Sequence, residues 1–112
     1  MPNFKKFVHA YCTQIPVVSG HAKNGRFSFN QAAVRQYGLS AKEHCDLYFD
    51  EEERLIGFVF IDEPNIGSVK VKCYKYDLNV AASHFCNHYK IDLDSIKKRE
   101  IKNMEGMLVI KA

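Results

Sequence analysis

A chain of 112 residues that is 46% hydrophobic, with eight Phe and six Tyr, can build a real core, which excludes a disordered polymer. No apolar run approaches a membrane span and the N-terminus lacks a signal-peptide core, so the expectation is a cytoplasmic protein, one compact domain over 1–112, with no membrane partner. The net charge of +3 hides segregation: residues 1–40 carry +5, 41–65 carry −6 and 66–112 carry +4, a field able to steer a partner onto one face.

In chain order, "FKKFVHAY" (4–11) reads as an edge strand closed off by Pro16, and "PVVSGHAKNG" (16–25) as a loop rich in turn residues. Arg26 to Phe29 is a short strand with Phe27 and Phe29 on one face. Asn30 is placed to cap a helix over about Gln31 to Tyr37, Gly38 supplies its stop, and Leu39 packs back under the turn. "HCDLYFD" alternates Cys45, Leu47 and Phe49 inward, "DEEE" is a tight acidic connection, and "RLIGFVFI" returns to complete a hairpin.

"EPNIG" (63–67) is the clearest punctuation in the chain. After it "SVKVKCYKY" alternates Val69, Val71 and Cys73 on one side with Lys70, Lys72, Tyr74 and Tyr76 on the other. Asn79 is read as opening a second helix that runs to about Tyr89. "SIKKREIK" and "MLVIKA" read as strands joined by a turn at Asn103–Gly106.

This order suggests an internal repeat: Phe29-Asn30 echoes Leu78-Asn79, and Ala32-Ala33 echoes Ala81-Ala82. Two origins stand open, duplication or chance likeness of two small units. The fold class expected is α+β, with two β-α-β-β units sharing a mainly antiparallel sheet core as a single-chain pseudo-dimer, and sub-repeats over 25–62 and 68–112.

Chemistry-bearing motifs are few. The chain has no nucleophile elbow, no phosphate loop and no dinucleotide fingerprint, and its glycines stand singly at turns. Cys12, Cys45, Cys73 and Cys86 form no C-x-x-C pair and read as small buried thiols. His84 and His88 lie four apart on the second helix, the spacing of half a metal site, but Cys86 falls on another face. The expectation is a non-enzymatic chain with no cofactor and no metal.

Around "GRFSFNQAAVRQYGL" (25–39) and on through "SAKEHCDLYF" and "RLIGF", about residues 25–60, the sequence resembles the AbrB-like swapped-hairpin domain. The resemblance covers roughly a third of the chain, carried by a short motif of glycine, arginine, strand, cap and two-turn helix. It implies dimeric or tandem DNA binders and antitoxins, with Arg26 matching the arginine of the Gly-Arg turn. Arg35 matches the second arginine of a helical pair whose first position is Val34. Asn30 stands where the family has Pro, and the second half has no Gly-Arg turn.

Two functional readings follow. The first is a nucleic-acid-binding regulator, DNA being the expected partner, using Arg26, Arg35, Lys70, Lys72, Tyr74, Lys97, Lys98 and Arg99 against phosphates. The second is a protein-interaction module, an antitoxin or phage-type inhibitor, presenting Asp50, Glu51, Glu52 and Glu53 to a partner with a basic groove. A homodimer is compatible with either.

Overall fold

The computed structural model describes residues 2–4 and 15–112. The strand expected at 4–11 lies, Phe4 apart, outside the described residues, as does Cys12. The elements are β1 (Val17–His21), β2 (Arg26–Asn30), α1 (Gln31–Tyr37), β3 (His44–Asp50), β4 (Leu55–Ile61), β5 (Val69–Cys73) and β6 (Asp77–Ala81). They continue with α2 (Ser83–Tyr89), a 3-10 turn at Leu93–Ser95, β7 (Arg99–Glu100), β8 (Lys102–Met104) and β9 (Met107–Lys111).

The nine strands among the described residues join one antiparallel sheet in the order β7-β1-β2-β6-β5-β3-β4-β9-β8. β7 pairs with β1 at one end and β8 with β9 at the other, yet only Ile101 separates β7 from β8. The chain therefore crosses between the two ends of the sheet in a single residue, and the sheet curls into a nearly closed barrel. Strand accounts for 44% and helix for 17% of the residues described.

That geometry overturns the expected α+β pair of β-α-β-β units and its pseudo-dimer. The strands do not gather into two units: β2 pairs with β6, β5 with β3, and β4 with β9. Two strands were hidden behind polar signals. β1 occupies the stretch read as a loop, where Val18 alternates with half-buried Val17 and Ser19. β6 occupies the stretch read as a helix start, because Leu78 and Val80 both point inward and Asn79 lies between them on the outside. α2 consequently begins later, at Ser83, with Ala82 at its cap position and no capping side chain.

The core fills by strand alternation. Phe27, Phe29, Ile56, Phe58, Leu78 and Val80 are wholly buried, while their neighbours in each strand, buried Gly57 apart, are exposed or half-buried. Phe58 meets Phe27 and Phe29 edge to face, with ring centroids 5.2 and 4.9 Å apart. Gly20 completes the packing under the 3-10 turn, for a Cβ there would collide with the carbonyl oxygen of Leu93. At the end of β3, Phe49 joins Phe85 and Tyr89 of α2 in a second aromatic group.

Local signals read correctly around α1. Asn30 Oδ1 accepts the Ala33 N–H at 3.0 Å, the cap the sequence predicts. The same side chain accepts the Val17 N–H at 3.2 Å and donates to the Ile15 carbonyl at 2.7 Å, tying the chain before β1 to the start of the helix. Gly38 ends α1 in the left-handed conformation, φ 62°, and Leu39 is buried beneath it.

Candidate functional site

The outward face of β2, β6 and β5 is polar along its length. Register places Ser28 opposite Asn79 and Asn79 opposite Lys72, so three strands present a serine, an asparagine and a lysine side by side. One step along, His21 faces Arg26 and Arg26 faces Ala81, with Lys70 beyond and His44 after it. Gly25, at φ 62°, turns the chain immediately before Arg26.

Arg26, Lys70 and Lys72 thereby surround one shallow concavity of about 200 Å³, whose remaining polar lining is Asn24 and Asn79. Arg26 and Asn79 also border an adjoining, wider depression of about 560 Å³ formed with Tyr74, Lys75 and Tyr76. The two depressions make one track, cationic at one end and aromatic at the other. Among the described residues the one ion pair is Lys42–Asp62 at 3.0 Å, so none of these cations is neutralised by a carboxylate. Asp77, which takes a 3.4 Å hydrogen bond from Ser28 Oγ, is the acid on this face.

The other predicted site residues scatter. Lys98 reaches the far border of the same face, lining a third depression with Ser19, Ser28 and Tyr76, and its backbone N–H donates to Ser19 Oγ at 2.9 Å. Arg99 is half-buried in β7 and donates to the Ser95 carbonyl at 3.2 Å. Lys97 is exposed before β7. Arg35 is exposed in the last turn of α1 and lines neither depression of the track. Asp50 ends β3 and Glu51, Glu52 and Glu53 lie in the exposed turn to β4, with Asp50 Oδ1 accepting the Glu52 and Glu53 N–H groups at 3.0 and 3.3 Å.

Sequence reasoning missed Asn24, Lys75 and Asn79. The strand alternation that sends Tyr74 and Tyr76 outward would send Lys75 inward. The strand instead ends at Cys73, and a turn closed by Tyr74 N–H to Asp77 O at 2.7 Å exposes Tyr74, Lys75 and Tyr76 together. The Lys75 ammonium sits 5.3 Å from the Tyr76 ring centre. The same early end leaves Cys73 exposed, against the expectation of a buried thiol.

Cys45 and Cys86 are buried as expected. Burial, reinforced by the adjacent Asp46 carboxylate, pushes the Cys45 thiol up to about 12, and burial pushes Cys86 up to about 11. Both are therefore protonated thiols at neutral pH. His84 and His88 are exposed on α2, with the His88 ring against Tyr89 at 4.7 Å. Among the described residues no group of three or more His, Cys, Asp or Glu side chains converges as a metal site would require. No helix among them is long and apolar enough to cross a membrane.

Comparison of the chain with protein-family models, with curated proteins and with solved structures finds no match.

Proposed function

We propose that the chain is a small non-enzymatic nucleic-acid-binding regulator that holds phosphates on the outer face of β2, β6 and β5. The observation that carries this reading is the concavity shared by Arg26, Lys70 and Lys72, three cations without carboxylate partners among the described residues. They are held on paired strands, so their spacing costs little entropy when a polyanion arrives. Asn24 and Asn79 supply amides between them, able to donate to phosphate or sugar oxygens. Tyr74 and Tyr76, about half exposed at 48% and 51%, offer ring faces beside the cationic track, suited to an unpaired base.

The resemblance to AbrB-like domains points to the same partner through Arg26, whereas Arg35 stands apart from the track. The test is fluorescence anisotropy of a labelled duplex and the matching single strand, titrated with the full chain across a salt series. Binding at low salt that weakens steeply as salt rises supports the reading; undetectable binding of both strands and duplex at low salt overturns it.

A further inference from the structure

On the opposite half of the barrel the outward face is apolar where an exposed sheet is usually polar. Tyr48, Leu55, Met107 and Val109, from three neighbouring strands, line a groove of about 740 Å³ with Met104 of β8 at its wall. Gly57 keeps its floor low, since a Cβ there would collide with the Met107 sulfur. Tyr48 and Met104 remain 49% and 54% exposed, so the groove is open to a visitor rather than closed over. Methionines suit a surface that must adapt to irregular apolar side chains.

The groove's charged lining has one sign. Asp50 and Glu105 border it, and Glu51, Glu52 and Glu53 follow directly in the turn above. Nearby cations, Lys102 opposite Val109 in register included, form no ion pair with these carboxylates among the described residues. Lys111 Nζ donates to the Glu53 backbone carbonyl at 2.7 Å, and the Arg54 guanidinium lies 5.1 Å from the centre of the Phe49 ring. Neither forms an ion pair among the described residues.

We propose that this groove docks a protein segment in which apolar side chains alternate with lysine or arginine. The apolar side chains fill the space between Tyr48 and the two methionines, and the cations meet Asp50, Glu105 and the acidic turn. The volume accommodates a few such side chains. Charge complementarity selects this occupant over a second copy seated face to face, which would bring two sets of carboxylates together. The surface is separate from the cationic track: the two share no lining residue, and the inference stands whether or not nucleic acid binds.

The experiment uses the full chain labelled at its methionine methyl groups and followed by NMR. The probes are a decapeptide of alternating Lys and Leu and its counterpart of alternating Glu and Leu. The Lys-Leu peptide is expected to shift the Met104 and Met107 methyl signals to saturation, and the Glu-Leu peptide to leave them in place. The triple variant E51K/E52K/E53K should bind the Lys-Leu peptide about tenfold more weakly or worse. Met104→Ser, at an exposed position that leaves the core intact, should weaken it likewise, while R26E/K72E should not. Absent shifts, equal shifts with the Glu-Leu peptide, or methyl shifts that depend on protein concentration without peptide would each overturn the proposal. The last of these would assign the groove to a second copy.

Discussion

Phe29 and Phe58 meet edge to face across the inside of the barrel, ring centroids 4.9 Å apart and planes at 86°. Their strands are not neighbours, since β6, β5 and β3 lie between β2 and β4 in the sheet. The contact therefore depends on the sheet curling until its two halves touch. Phe58→Ala, which removes the ring that both Phe27 and Phe29 pack against, should cost about 3–5 kcal/mol. Phe58→Leu, which keeps most of the volume, should cost about 1–2 kcal/mol. Urea unfolding of both variants checks the order, and a Phe58→Leu variant as stable as the unsubstituted chain would mean that the ring-to-ring packing contributes nothing specific.

Asn30 links three parts of the chain with one side chain: the α1 N–H at Ala33, the β1 N–H at Val17 and the carbonyl of Ile15. Asn30→Ala should cost about 1–2 kcal/mol, at the upper end for a helix cap, because the Val17 N–H and Ile15 carbonyl lose a partner as well. Asn30→Asp should keep both accepted bonds, now made to a charged oxygen, but set its other carboxylate oxygen against the Ile15 carbonyl where Nδ2 donates. Its destabilisation should fall below that of the alanine variant in the same unfolding experiment.

The parts of the fold legible in the sequence are those written in local chemistry. Asn30 and Gly38 bracket the seven residues of α1, one as the cap and the other as the left-handed stop. The β3–β4 hairpin likewise announces itself by alternation around "DEEE". β1 and β6 were not legible because their strand character comes from partners. Gly20 looks like a turn residue, yet pairing opposite Phe27 holds it in a strand, at a place where Leu93 leaves no room for a side chain. Asn79 looks like a cap, yet pairing with Ser28 on one side and Lys72 on the other holds it in a sheet. Barrel closure through Ile101 is a long-range relation that no window of sequence contains.

The buried thiols predict an alkaline weakness. Cys45 is held near 12 in the folded chain against an ordinary 9.0, so above pH 9 the unfolded chain releases a proton that the folded one keeps. Stability from this group is intact below pH 9 and falls as pH rises toward 12, by about 1.4 kcal/mol per pH unit. Cys86 acts in the same direction. Between about pH 8 and pH 10 the native chain should lose about 1.4 kcal/mol more than Cys45→Ala does, read as the difference of two urea series. Matching losses would rule out the buried thiol as the cause. At neutral pH Cys73, the exposed cysteine among the described residues, should react with a thiol reagent while Cys45 and Cys86 stay protected.

The cationic track was half legible. Lys70 and Lys72 alternate visibly along one strand, but the arrival of Arg26 beside them depends on β6 lying between β2 and β5. If these three side chains contact phosphates, log affinity should fall with log salt at a slope of about −2 for a single strand and nearer −3 for a duplex. R26E/K72E removes two of the three, so it should flatten that slope by at least about 1.4 and weaken low-salt binding by tenfold or more. Arg35→Glu, outside the track, should change neither quantity by as much as R26E alone. All three substitutions lie on exposed or half-buried outward positions, so an unchanged unfolding midpoint separates lost contacts from lost fold. A slope unaltered by R26E/K72E would move the phosphate contacts to another face, with Lys97 and Lys98 the next cations to reverse.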